Sequence, residues 1–102
     1  MIKKKTVYFY SDAGHGWLKV KKSELRELGI ADKISRCSYM RDEWAYLEED
    51  CDAYCYFKAY VDKMGLGDVS HLGEVFNVKR KHTDRSSKIR SYWSYKHENN
   101  NL

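Results

Sequence analysis

The sequence contains no proline and six glycines in 102 residues, so its turns depend on glycine, aspartate and serine. No apolar run approaches the roughly 18 residues that a membrane-spanning helix needs. The basic start is not followed by the apolar segment of a signal peptide. The three cysteines are odd in number and form no C-x-x-C pair, which disfavours a disulfide scaffold and favours a reducing compartment. We therefore expect a soluble, cytoplasmic protein without membrane contact.

Several motifs that carry chemistry are also missing from the sequence. It contains no glycine-rich phosphate loop, no G-x-S-x-G nucleophile elbow and no H-E-x-x-H zinc site. A structural thiolate site would need more cysteine or histidine at short spacing. We expect no cofactor and no metal, and we find no convincing catalytic set, which favours a protein that is not an enzyme.

What the chain does contain is enough apolar side chain for one small core. Hydrophobic residues make up 42% of the chain and aromatic residues 15%, with nine tyrosines. Charge is segregated: residues 1–40 carry nine Lys/Arg against four Asp/Glu, residues 41–68 three against eight, and residues 69–102 seven against three. The length predicts one domain over residues 1–97, and the polar composition predicts a disordered tail over 98–102.

The patterning predicts a small α+β fold. Period-two alternation and turn residues predict strands over the ranges 6–10, 17–21, 34–40, 44–48, 74–81 and 88–93. The first pair would form one hairpin and the last pair another.

Two helices are predicted to cover one face of this mostly antiparallel sheet of about five to six strands. A short helix over about 23–28 would begin with Ser23 as N-cap and end at Gly29. A longer helix over about 50–64 would begin with Asp50 as N-cap. Its buried stripe is expected at Ala53, Phe57, Tyr60, Val61 and Met64.

The loop between the first two strands is the most unusual segment. His15 lies between two glycines, so it could act as a general base or ligand with Asp12 orienting it. Alternatively, Asp12 caps a tight turn and His15 points outward. Because no third catalytic partner is identifiable, we expect the loop to serve recognition rather than catalysis.

The acidic segment 47–53 is a second candidate. A helix N-terminus can lower a thiol pKa, so Cys51 could be reactive, although capping with Cys51 or Cys55 packed in the core is the preferred interpretation. The exposed carboxylates would then form an acidic patch. Together with the glycine-flanked loop this gives a predicted protein-binding set of Asp12, His15, Trp17, Glu48, Glu49 and Asp52.

The basic C-terminal segment, 79–95, is a third candidate. Cations interleaved with aromatic residues suit phosphate contacts and base stacking, as in proteins that bind RNA or single-stranded DNA. The predicted nucleic-acid-binding residues are Lys79, Arg80, Lys81, Arg85, Lys88, Arg90 and Tyr92. The alternative is a solvated hairpin whose aromatic side chains alternate into the core.

Three blocks of sequence, 11–18, 28–35 and 45–53, together with residues 81–83 and 89–90, resemble a family of small, uncharacterised bacterial plasmid and phage proteins. The resemblance covers about residues 5–95. It implies a mobile-element protein working in a bacterial cytoplasm, and it assigns no functional residue.

Three functions follow as hypotheses. The first is a non-enzymatic anti-defence module, such as an anti-CRISPR inhibitor, that docks on a host protein or ribonucleoprotein complex. The second is a nucleic-acid-binding accessory protein that uses residues 79–95, and the third is a small hydrolase or nuclease that uses His15. Because nine tyrosines exceed what a core this small can bury, an exposed aromatic patch and a homodimer are also expected.

Overall fold

The computed structural model describes residues 4–67 and 72–96, so the predicted tail, 98–102, lies outside the described residues. Within them are six strands: β1 Lys5–Ser11, β2 Gly16–Lys21, β3 Tyr39–Arg41, β4 Trp44–Glu48, β5 Phe76–His82 and β6 Trp93–Ser94. The helices are α1 Lys22–Glu27, α2 Ala53–Met64, α3 Leu72–Val75 and a 3₁₀ helix at Lys88–Ser91.

All six strands belong to one sheet in the order β5-β1-β2-β4-β3-β6. The β1–β5 pair is parallel, and the other neighbouring strands are antiparallel. This arrangement confirms the predicted α+β class, with a mostly antiparallel sheet, one longer helix and short ones.

The first hairpin follows its prediction closely. β1 and β2 pair so that Phe9 lies opposite Leu18 and Tyr10 lies opposite Trp17. Val7 and Leu18 are buried on the side of the sheet that faces the helices, as alternation requires. The prediction of β4 is also confirmed, since the strand has the bounds predicted for it, 44–48.

The end of α1 also follows its prediction, whereas its start does not. Gly29 has φ +73°, and the amides of Gly29 and Ile30 donate to the carbonyls of Arg26 and Leu25, which is the Schellman pattern. Ser23 is not the N-cap, because the helix begins one residue earlier, at Lys22, directly after β2.

The longer helix begins three residues later than predicted. α2 starts at Ala53 after Asp52, and the predicted cap Asp50 lies in the preceding turn. Tyr56 is fully buried, although the predicted stripe omitted it, whereas Met64 was assigned to that stripe and is 52% exposed. The helix ends at Gly65, which adopts a left-handed conformation.

The predicted C-terminal hairpin is wrong. β5 lies at one edge of the sheet against β1, and β6 lies at the other edge against β3. Residues 88–91 form a 3₁₀ helix instead of a strand, and the Ser87 side chain caps it by accepting a hydrogen bond from the Ile89 amide. The predicted strand over 34–40 is replaced by the shorter β3, Tyr39–Arg41, because residues 35–38 form a turn.

The two faces of the sheet differ in chemistry. The helix face carries aliphatic residues such as Val7, Leu18, Val20, Ala45 and Leu47, which pack against α1 and α2. We call the opposite side the open face. By alternation and register it carries Tyr8, Tyr10, Trp17, Lys19, Lys21, Tyr39, Arg41, Trp44, Tyr46, Glu48, Lys79 and Lys81. None of the helices within residues 4–67 and 72–96 has the length and hydropathy of a bilayer-spanning segment.

We expect Gly16→Ala to lower the free energy of unfolding by about 1–3 kcal/mol, because overpacking a core costs energy of this order. A Cβ at Gly16 would overlap the Phe9 ring, whose Cε2 atom would be 2.6 Å away. The control is Gly73→Ala, whose Cβ would meet nothing within 4 Å. Urea denaturation measures both variants, and equal stabilities would contradict the packing argument.

Candidate functional site

The Asp12 carboxylate accepts the hydrogen bonds that hold the loop between β1 and β2 in place. Its Oδ1 atom accepts hydrogen bonds from the amides of Gly14 (2.9 Å) and His15 (3.0 Å), which fix the turn. The same carboxylate accepts two bonds from the Arg90 guanidinium, at 2.7 and 2.9 Å, and one from the Ser87 amide at 2.8 Å. These donors, Arg90 above all, hold the pKa of Asp12 well below its usual range. Asp12 therefore caps the turn, as the structural alternative predicted, and joins it to the C-terminal segment.

The His15 side chain contacts Glu48, whereas the sequence analysis considered Asp12 as its partner. Its Nδ1 atom lies 3.1 Å from Oε2 of Glu48, at the end of β4, and its ring lies 6.2 Å from that of Trp17. Glu48 is buried and also accepts a hydrogen bond from the Cys51 amide. The pairing of Glu48 with His15 was missed because the two residues are 33 positions apart and meet only through β2–β4 pairing.

Most of the predicted protein-binding residues are inaccessible. Trp17 is 1% exposed, and its Nε1 atom finds no hydrogen-bond partner among the described residues. Asp52 is also buried, where it accepts hydrogen bonds from the Ser35 amide and hydroxyl and from the Ser38 hydroxyl. Of this set, His15 and Glu49 are the exposed members.

A depression of about 400 Å³ lies beside the His15–Glu48 pair. It is lined by His15, Trp17, Cys37, Tyr39, Glu48, Asp50, Cys51 and Arg90. A hydrogen bond with Cys37, burial and nearby carboxylates raise the pKa of Cys51 to about 11, which makes its thiol a poor nucleophile at neutral pH. Within residues 4–67 and 72–96, no three His, Cys, Asp or Glu side chains are grouped so that they could hold a metal ion.

The predicted nucleic-acid-binding residues on β5 point to both sides of the sheet. Lys79 and Lys81 lie opposite Tyr8 and Tyr10 of β1, so both lysines belong to the open face. Arg80 points to the other side, where its guanidinium lies 5.3 Å from the centre of the Phe9 ring.

The rest of the set lies on or after the 83–87 loop. Arg85 and Lys88 are exposed, whereas the Arg90 guanidinium is already hydrogen-bonded to the Asp12 carboxylate. Tyr92 is half-buried against Tyr46, with ring centres 5.1 Å apart. Four of the predicted residues, Lys79, Lys81, Arg85 and Lys88, thus remain available to a ligand.

The pairing of the strands creates a row of lysine and tyrosine side chains on the open face that the sequence analysis missed; Tyr46 in this row is buried beneath the C-terminal segment. Successive cross-strand neighbours along this row are Lys79, Tyr8, Lys19, Tyr46 and Tyr39. At about 4.8 Å between strands, five strands span about 19 Å. The detectable signal was the second set of alternating positions in β1 and β2, where Tyr8 and Lys19 occupy the side opposite to the core residues.

The C-terminal segment covers part of the open face and leaves two depressions beside it. Ile89 packs with Trp17 and Tyr46, and burial raises the pKa of Tyr46 to about 12. One depression, of about 210 Å³, is lined by Tyr10, Lys19, Tyr46, Ser87, Lys88, Ile89 and Tyr92. The other, of about 350 Å³, is lined by Tyr10, Ser11, Lys81, His82, Thr83, Arg85, Ser86, Ser87 and Lys88. Tyr10 and Lys88 border both.

Comparison with known proteins gives no match: no family model, curated protein or solved structure is similar to this chain. The resemblance to plasmid and phage proteins stays a prediction.

We expect Asp12→Asn to lower the melting temperature most at neutral pH. Because the folded-state pKa of Asp12 is depressed, its ionisation stabilises the fold above the unfolded pKa of about 4, and this contribution is lost as pH falls below that value. The difference in melting temperature between wild type and variant should therefore narrow as the pH falls from about 5 to about 2, a range that includes the unfolded pKa. Asp62→Asn, which removes an exposed partner of Lys58, is the control. A difference that does not change with pH would contradict the role of the Asp12 charge.

Proposed function

We propose that this protein binds single-stranded nucleic acid on the open half of its sheet, across β5, β1 and β2. The observation that carries the proposal is the row Lys79–Tyr8–Lys19, in which two cations flank an aromatic ring that is 41% exposed. Aromatic side chains stack on bases and lysines neutralise phosphates, so this alternation matches the alternation of bases and phosphates along a strand.

The charge surrounding the row supports an anionic ligand. Lys81 lies on the open face beside Lys79, and Arg85 and Lys88 border the depressions next to Tyr10. Lys19 also lies 4.3 Å from the centre of the Trp44 ring, which holds its ammonium group over the sheet. A backbone phosphate in the 350 Å³ depression would meet Lys81, Arg85 and Lys88.

The shape of the surface favours single strands over duplexes. Duplex DNA is usually recognised by a helix or a β-ribbon that enters the major groove. Here the cations and rings lie on a sheet face, and sheet faces that bind RNA stack two or three unpaired bases on their aromatic residues. The row Lys79–Tyr8–Lys19 crosses three strands and is about 10 Å long, which suits the stacking of two or three bases.

Docking on a host protein complex has less support from the geometry. Asp12, Trp17, Glu48 and Asp52, four of the six residues expected to make such contacts, are buried and engaged within the chain. A protein partner is therefore one outcome that the binding experiments below distinguish.

We expect Tyr8→Ala to weaken binding of a fluorescent oligonucleotide about 5- to 150-fold, since stacking on one aromatic residue contributes about 1–3 kcal/mol. Fluorescence anisotropy with a uridine RNA and a thymidine DNA would measure the affinity for each chemistry. The matched control is Tyr54→Ala, because Tyr54 is 57% exposed on α2, on the far side of the sheet. Failure of the wild-type protein to bind either oligonucleotide at low salt would overturn the proposal and direct the search to a protein partner.

We further expect the double variant Lys79→Ala/Lys81→Ala to bind more weakly and with less dependence on salt. Each phosphate contact that is lost should reduce the slope of log K against log salt by about 0.7. Lys58→Ala removes an exposed cation from α2 and should leave the slope unchanged. Equal slopes for the double variant and the wild type would place the ligand elsewhere.

A further inference from the structure

Cys37 and Cys51 come from different parts of the chain and meet beside the His15–Glu48 pair. Cys37 lies in the turn before β3, and Cys51 lies in the turn between β4 and α2. Both side chains are exposed and both line the 400 Å³ depression, and the interaction between the two thiols helps to raise the pKa of Cys51. Two accessible thiols that face the same depression are the minimum needed for reversible disulfide chemistry.

The contact is fixed by the residues next to each cysteine. Asp52, which follows Cys51, accepts hydrogen bonds from the Ser35 amide at 3.1 Å and the Ser35 hydroxyl at 2.8 Å. It also accepts one from Ser38, so the turn that contains Cys37 is held against residue 52 from both sides. On the other side, Glu48 accepts a hydrogen bond from the Cys51 amide at 3.2 Å. The two turns that carry the thiols are therefore held together by buried polar contacts.

The two thiols have different roles in this contact. The pKa of Cys51 is raised to about 11 by the hydrogen bond with Cys37, burial and the nearby carboxylates of Glu48 and Asp52. A thiol whose pKa is raised is seldom a thiolate at neutral pH, so Cys51 is poorly suited to attack first. Cys37 is the sulfur suited to attack first, and Cys51 is suited to resolve the product.

We propose that Cys37 and Cys51 form a dithiol site that small-molecule disulfides, of which oxidised glutathione is the probe, convert reversibly into an intramolecular disulfide. The Cys37 thiolate attacks one sulfur of the probe, forms a mixed disulfide and releases one thiolate. Cys51 loses its proton to water and attacks the Cys37 sulfur, which releases the second thiolate. The protein loses two electrons and two protons, and the probe is reduced to two thiols. This inference does not depend on nucleic-acid binding.

The third cysteine provides a matched control. Cys55 is half-buried in α2, and burial is the main cause that raises the pKa of its thiol. It does not line the depression that contains the other two cysteines. Cys55→Ser should therefore react as the wild type does.

The test is to incubate the full-length protein with oxidised glutathione and to measure the intact mass and the cysteine-containing peptides. The wild type and Cys55→Ser should lose the mass of two hydrogens and give a peptide that links Cys37 to Cys51. Cys51→Ser should stop at a stable glutathione adduct on Cys37, and Cys37→Ser should react much more slowly. Incubation with excess dithiothreitol should return the wild type to its starting mass.

A disulfide between Cys37 and Cys51 would close a loop of about 15 residues, so we also expect oxidation to raise the melting temperature by about 12–24 °C. Stable glutathione adducts on the wild-type protein without the linked peptide would overturn the proposal, as would a disulfide that involves Cys55. Circular dichroism of each serine variant confirms that it is folded before its reaction is interpreted.

Discussion

The contact between the Asp12 carboxylate and the Arg90 guanidinium determines how the C-terminal segment lies over the sheet. Asp12 is fixed by the turn between β1 and β2, while Arg90 and Ser87 belong to a segment about 75 residues later. By joining them, this contact places Ile89 over Trp17 and Tyr46 and covers that half of the open face. The other half, around Tyr8, stays exposed. The position of the proposed binding surface thus follows from one charge-assisted, bidentate interaction.

The elements that could be predicted from the sequence are those determined by residues close to one another in the chain. The β1–β2 hairpin follows from alternation around a glycine-containing turn, and the end of α1 follows from Gly29 with Ile30 after it. The start of α2 was misplaced because several acidic residues precede it and each is a plausible cap. Their real roles depend on distant partners: Asp52 binds Ser35 and Ser38, which no local pattern indicates.

The C-terminal prediction failed for a related reason. β5 alternates as a strand should, but its partner is β1, and this parallel pairing joins residues about 70 positions apart. Lys88 to Ser91 contain a single buried residue, Ile89, so the segment has no alternating apolar set that would favour a strand over a 3₁₀ turn. The hairpin was inferred from adjacency in the chain, and tertiary pairing overrode it.

The candidate site was partly predictable in composition but not in arrangement. The basic segment indicates Lys79, Lys81 and Lys88, whereas Tyr8 and Lys19 become their neighbours only through strand pairing, which no local pattern shows. Arg90 could not be recognised as a structural residue, because its partner, Asp12, is 78 positions away. Trp17 could not be recognised as buried, since it lies on the side of β2 opposite to the core, where the C-terminal segment and the rings of His15 and Tyr39 cover it.

The chemistry of the open face also bears on self-association. A second copy of the chain placed on this face would bring two sets of lysines, Lys19, Lys79 and Lys81 of each copy, into one contact, and like charges in a desolvated contact oppose each other. The tyrosines on the face carry hydroxyl groups that water can solvate, so their exposure costs less than that of phenylalanine would. A polyanion that offers flat bases removes the repulsion among the lysines and covers the rings at the same time. The features that disfavour a homodimer through this face are therefore the ones that favour a single-stranded nucleic acid.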